Sequence, residues 1–294
     1  MNIIKHKFIF LTISGILVLA AVIALSVFGL KQGIDFVGGS LWQIQVNQPH
    51  IMAMDIGLLL QDLKQKDFVI NNGATAGVYL IRLKEITEAE HQQYLKALQE
   101  KFKGAEELSF ESIGASIGSE LRGKAIWAFL MVLVGISLYI AFAFRKVSRP
   151  VSSWKYGLIT LLTLFHDAII PAGLMAYLGW FGGVDIGVNF IVAILVVMGF
   201  SVHDTIVVFD RIRENLRTSA SNVNFGDLVN KSINQTFARS VNTSLTLVLV
   251  LVTLYFFGAS SLEYFTLVML VGTLVGTYSS IFVASPLLVL WQRK

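Results

Sequence analysis

The sequence predicts a polytopic α-helical membrane protein of six transmembrane helices, with a small α+β (ferredoxin-like) extracytoplasmic domain between the first and second. Three observations predict it. Of 294 residues, 55% are hydrophobic and 14% charged, against about 25% charged in soluble domains, and the mean hydropathy is +0.69. Six apolar runs, near 8–30, 125–144, 156–181, 186–209, 238–258 and 264–291, are each long enough for the ~20 helical residues that cross a hydrocarbon core. Between the first two runs lies a polar stretch, 31–123, with mixed strand and helix patterns. The expected organisation is 1–30 as the N-terminus and first span, 31–123 as the domain, and 124–294 as a five-helix region with a cytoplasmic loop at 210–236. The chain has no cysteine, which excludes disulfides, thiolate metal sites and cysteine nucleophiles.

The first run follows Lys5 and Lys7 like a secretory signal, but it is too long for one and lacks an A-x-A cleavage site, so it reads as a retained anchor. Basic residues then set the topology. Arg145, Lys146, Arg149 and Lys155 separate the second and third runs; Arg211, Arg213, Arg217 and Lys231 separate the fourth and fifth; Arg293 and Lys294 close the chain. The opposite loops, GWFGGVDIG and GASSLEY, hold no Lys or Arg. Both termini are therefore expected in the cytoplasm.

Within the insert, LWQIQVNQ reads as a strand and 51–65 as a helix by apolar spacing. DFVINN and GVYLIRLKEI read as two strands around an N-N-G turn. TEAEHQQYLKALQEKF reads as a helix with Thr87 as cap and Glu90 at the capping-box position, and AEELSFESIG as a last strand. The order β-α-β-β-α-β is the ferredoxin-like arrangement. His50 and His91 stand isolated in this reading and are expected to be solvated; the insert shows no catalytic constellation. GIDFVGGS, with Gly33, Asp35, Phe36, Gly38 and Gly39, lacks both a preceding strand and the Lys-Ser/Thr of a phosphate loop. It reads as a glycine hinge where the first helix leaves the membrane.

Three spans carry groups that lipid should exclude. His166 and Asp167 fall near the middle of the third; His203 and Asp204 lie just before the cytoplasmic end of the fourth; Arg239 lies just inside the fifth. Each Asp or Arg at a helix centre costs about 2.5–3.5 kcal/mol, so a functional role is the default reading. At 1.5 Å per residue, Asp204 lies roughly 8 Å inside the cytoplasmic boundary, a depth that Arg239 can also reach, and an Asp204–Arg239 ion pair is expected. The alternative is that Arg239 snorkels to the interface. Neighbouring residues on a helix point about 100° apart, so each His-Asp dipeptide should present one side chain to a common centre. The i, i+4 spacing of a zinc helix is absent, and no pattern supports a paired-carboxylate protease; no metal, no cofactor and no enzymatic activity are expected. The segment DRIRENLRTSASNVNFGDLVNKSINQTFA reads as a helical extension, a Ser/Asn break and a short amphipathic helix, with Glu214–Arg217 or Arg213–Arg217 at helical spacing. It is either a solvated cytoplasmic face or a docking surface.

With these residues in hand, the chain resembles the SecF family, the smaller membrane subunits of SecDF protein-export complexes, within the resistance-nodulation-division superfamily. GIDFVGGS resembles the family's motif after the first helix, HDAII at 166–170 its third-span motif, and QTFARSVNTS at 235–244 the start of its fifth span. GFSVHDTIVVFDRIREN at 199–215 resembles its fourth-span signature, ending in Asp210, Arg211, Arg213, Glu214 and Asn215. The resemblance implies a proton-driven motor of the bacterial cytoplasmic (inner) membrane. It would assist the Sec channel (SecYEG) from the extracytoplasmic side and act on a translocating preprotein. It places the proton-relay Asp and Arg on Asp204 and Arg239, with a separate SecD chain supplying a second set of six spans. One departure is His203, where the family pattern carries Asn. Asp167, His166 and His203 join the expected relay on their position in the spans alone. Two other functions fit the same spans: a proton-coupled half-transporter of the superfamily exporting a small molecule or lipid, and a non-energised assembly scaffold. The first predicts a larger insert than about 90 residues; the second predicts tolerance of Asp204→Asn.

Overall fold

A computed structural model of the chain describes residues 2–46, 48, 51–65, 67–73, 77–145, 151–218 and 223–292. His50, Lys146, Arg149, Arg293 and Lys294 lie outside them. The chain forms two compact units: Met1–Leu30 with Trp127–Val184 and Asn189–Lys294, and Lys31–Ile126 with Asp185–Val188.

The second unit opens with α2 (Ile34–Val37), then β1 (Gly39–Val46), α3 (Ala53–Asp62), β2 (Phe68–Asn72), β3 (Val78–Leu83), α4 (Glu88–Lys101) and β4 (Ala105–Ile113). The sheet order is β2-β3-β1-β4 with every neighbour antiparallel, the ferredoxin-like topology expected from β-α-β-β-α-β. Period-2 alternation puts Trp42, Ile44 and Val46 on one face, where they meet Ile81 and Leu83 of β3, Ile56 and Leu60 of α3, and Leu98 of α4. The α4 cap is a full capping box. Thr87 Oγ1 accepts from the Glu90 N–H at 3.4 Å, and the Glu90 carboxylate accepts from the Thr87 N–H at 2.8 Å. That backbone N–H holds the Glu90 carboxyl below its ordinary pKa.

His91 corrects its sequence reading. It is 2% exposed, because the 91/94/98 spacing puts it on the core face of α4 with Tyr94 and Leu98. Its ring stacks on Phe110 at 3.7 Å, meets Trp42 edge-on, and its Nε2 lies 2.6 Å from Glu107. Glu107 also accepts from the Trp42 indole N–H at 2.7 Å. Three polar groups satisfy one another under an aromatic cover, which is how buried polar side chains avoid an uncompensated desolvation cost.

The six apolar runs become Ile4–Phe28, Ala115–Ala143, Ser153–Gly182, Val188–Thr218, Phe225–Phe257 and Glu263–Leu290, all long and apolar enough to span a membrane. They comprise α1 (Lys7–Phe28, after a 3-10 turn), α5 (Ala115–Ala143), α6 (Ser153–Gly182), α7 (Val188–Thr218), α8 (Phe225–Phe257), α9 (Glu263–Ser279) and α10 (Ser285–Leu290). A π-helical turn at Ser280–Ala284 joins α9 to α10 within one span, just before Pro286, which has no N–H to give the preceding turn. Two readings of the fourth-to-fifth connection need correction. The amphipathic piece is no separate helix: Asn224 caps it by accepting from the Gly226 N–H at 2.8 Å, and no Pro or Gly interrupts the chain from 227 to 257, so α8 runs on into the fifth span. The ion pairs there are Asp210–Arg213 and Arg211–Glu214, not Glu214–Arg217.

Three spans form the core of this unit. The third, fourth and sixth bury 56%, 50% and 56% of their most apolar window, the first, second and fifth 11%, 6% and 17%. With lipid as solvent, helices associate through close packing at small residues. A Cβ on Gly173 would lie 2.5 Å from Ala21 Cα and 3.0 Å from its carbonyl oxygen, both backbone atoms that a rotamer change cannot clear. Gly173→Val should therefore lower stability by about 3 kcal/mol, read as thermal unfolding in detergent. Gly135→Val, where nothing among the described residues lies within 4 Å of the added carbon, is the control and should leave the midpoint nearly unchanged.

Candidate functional site

Asp167 sits on α6 with no exposed surface. Four residues later comes Pro171, which removes the N–H that would otherwise bond the Asp167 carbonyl and leaves the helix locally adaptable. Three donors from three spans converge on the carboxylate: Ser201 Oγ of α7 at 2.5 Å, Ser279 Oγ of α9 at 2.7 Å, and His166 Nδ1 at 2.8 Å. A carboxylate only accepts, so Nδ1 carries the proton in this contact. The other ring nitrogen, Nε2, is buried with no hydrogen-bond partner among the described residues. The expectation that a His-Asp dipeptide offers one side chain to a shared centre fails here, because His166 turns its ring back onto the neighbouring carboxylate.

Asp204, 2% exposed, has its own hydroxyl environment. Ser244 of α8 donates to it at 3.5 Å and shares a 2.5 Å contact with Thr277 of α9. Ser240, one turn before Ser244, turns a buried hydroxyl toward the same carboxylate. Beside it, Thr205 meets Ser280 at 2.8 Å, and Ser280 also donates to the Ser201 carbonyl at 3.2 Å. Ser280 opens the π-helical turn, a distortion frequent at functional sites. The two acids therefore belong to one layer of hydroxyls carried by α7, α8 and α9. Sequence reading missed that layer. Its signal was the helical spacing of Ser240/Ser244 and Thr273/Thr277/Ser280, with Gly272 and Gly276 clearing room for Val197 and Ser201 of α7.

The other expected relay residues lie elsewhere. Arg239 is exposed and forms no ion pair with Asp204. The reason is angular: Ser240 and Ser244 face inward, and the residue before Ser240 is turned about 100° away. His203 is exposed as well. Below them, Asn215, 9% exposed, donates to Ser232 Oγ at 2.7 Å and Gln235 Oε1 at 2.9 Å, and Arg211 Nε reaches the same Gln235 oxygen at 2.7 Å. The DRIREN segment thus ties α7 to α8. Among the described residues no cluster of His, Asp and Glu is arranged to hold a metal.

At the glycine motif the backbone packs closely against the start of α5. Gly38 has φ +78° and a Cβ there would lie 2.6 Å from Ala115 Cα, so both its backbone angle and its neighbour require glycine.

Comparison with known proteins bears on these features together. The family model for the protein export membrane protein SecD/SecF, C-terminal, matches residues 93–294, and that for the SecD/SecF GG motif matches 23–49. The chain belongs to the SecD/SecF family of protein-export membrane proteins. The first match holds Asp167, Asp204 and Arg239, the second Gly33 to Gly39. The protein translocase subunit SecF of Thermobaculum terrenum is 42% identical over 306 residues, covering 100% of this chain and 94% of that one. The SecDF subunit of Thermus thermophilus is 36% identical over 286 residues, covering 95% of this chain and 37% of its own longer one. The crystal structure of Thermus SecDF, a translocon-associated membrane protein, superimposes with a TM-score of 0.86 at 33% identity over 99% of this chain and 38% of that one. As a member of the SecD/SecF family, the chain is an integral membrane protein with a role in Sec protein translocation.

Proposed function

We propose that the chain is the SecF-type half of a two-chain export motor, driven by the proton-motive force across the bacterial cytoplasmic membrane. Its N- and C-termini face the cytoplasm and the ferredoxin-like domain (31–123) faces the exported chain. Asp204 is the group that binds and releases the proton, Asp167 with His166 is a second station, and Arg239 and His203 serve the relay from the outer faces of α8 and α7. The observation that carries this reading is the setting of the acids. Two carboxylates are buried in apolar spans and, among the described residues, no Lys or Arg pairs with either. Hydroxyls solvate them and can both give and take a proton, yet they cannot neutralise a charge. Proton binding is the cheapest relief from the cost of a buried charge.

Arg239 and His203 support a membrane partner. A cation exposed on a span is expensive against lipid, so the reading places a SecD chain over that surface, and the pair at the Sec channel acting on a translocating preprotein. The test is an ion-gradient swap in vesicles holding the chain, a SecD chain and the Sec channel. Export stimulation should follow an imposed proton gradient and vanish with a protonophore; stimulation by a sodium gradient alone would overturn the proton assignment.

A further inference from the structure

The loop between the third and fourth spans is built into the same compact unit as the glycine motif. Ile186 donates to the Lys31 carbonyl and accepts from the Gly33 N–H, both at 2.8 Å, alongside Gln32. Asp185 pairs with Arg82 of β3 and lies 3.8 Å from Lys31 Nζ. Burial pulls the Arg82 guanidinium below its ordinary pKa, and burial followed by the Arg82 charge does the same to the Lys31 ammonium, which marks the cluster as partly desolvated.

The next contact is specific. The Val188 N–H, the first of α7, donates to Asp35 Oδ2 at 2.6 Å across 153 residues of sequence. The first N–H groups of a helix have no acceptor of their own, and a cap normally comes from the residue just before them. Here that residue is Gly187, which has no side chain, and a Cβ added to it would overlap the Asp35 carboxylate. The loop leaves open the place that Asp35 fills, and a negative charge there also complements the helix dipole. Asp35 stands four residues before β1, and Val188 starts the helix that carries Asp204 sixteen residues on.

We infer that Asp35 is a positioning residue: it caps α7 from the glycine motif, so that a displacement of the Asp204 helix is passed to β1 and the domain built on it. This rests on the relay reading for its driving event, and makes the GIDFVGGS segment a transmission element in place of a free hinge. The test uses the full chain reconstituted with a SecD chain and the Sec channel. In Asp35→Ala, hydrogen exchange at the amides of 188–190 should rise roughly fivefold or more and export should fall several-fold while proton flux persists. Asp35→Asn, which keeps an acceptor oxygen, should retain most of both. Gly187→Ala, which displaces the carboxylate, should reproduce Asp35→Ala, and combining the two should add nothing. Unchanged exchange in Asp35→Ala, or raised exchange with export intact, would overturn the assignment. Asp204→Asn run in parallel separates the two ideas: it should lose proton flux with exchange at 188–190 unaltered. If it keeps its flux, the relay reading falls, and the exchange and export of the Asp35 and Gly187 variants still decide the cap.

Discussion

Asp204→Asn is expected to abolish gradient-driven stimulation of export while the helices stay folded. The amide matches the carboxyl in size and keeps a carbonyl oxygen for the Ser244 hydroxyl, so the stability change should stay within about 1 kcal/mol. What it loses is the ability to take up and release a proton between α7 and α8. One charge moved across 100 mV is worth about 2.3 kcal/mol, a bias of roughly fortyfold in a two-state equilibrium at tenfold per 1.4 kcal/mol. Export into proteoliposomes with an imposed gradient reads the loss, and thermal unfolding reads the fold. Full gradient-driven stimulation in a folded variant would remove Asp204 from the relay.

Asp167 should behave differently, because it organises more structure. Asp167→Ala strands the hydroxyls of Ser201 and Ser279 and the His166 N–H, buried donors that would lose their shared acceptor. The expected cost is on the order of 3–5 kcal/mol, seen as a lower unfolding midpoint in detergent and a lower yield of folded protein. Asp167→Asn keeps an acceptor for the hydroxyls and should recover most of that stability while leaving export well below the wild-type level. Equal stability of Ala and Asn variants would show that the convergence of three spans on this carboxylate carries little weight.

Much of this molecule was legible in its amino-acid pattern. Spans longer than 20 apolar residues, the β-α-β-β-α-β order and the Thr87–Glu90 box follow from local chemistry, and each appears where its residues stand. The acids in the spans were legible as anomalies of composition. Their surroundings were not, since a hydroxyl layer spread over α7, α8 and α9 is a long-range property of helices that pack at Gly272 and Gly276. Arg239 shows the converse: depth along the helix agreed with a partner at Asp204, while rotation about the axis, fixed by the inward face of Ser240 and Ser244, disagreed. His91 was hidden because the sequence does not show a facing Glu107 sixteen residues on, which makes burial of its ring affordable. Asp35 was read as one letter of a hinge, and only the fold brings it to Val188.

The central claim is that Asp204 itself changes protonation state when the membrane is energised. Difference infrared spectroscopy on the reconstituted chain with a SecD chain, before and after a proton gradient is imposed, reads the carboxyl group directly. The account predicts a protonated-carboxyl C=O band that appears with the gradient, shifts on deuteration and is missing in Asp204→Asn. A band that persists unchanged in Asp204→Asn would contradict it.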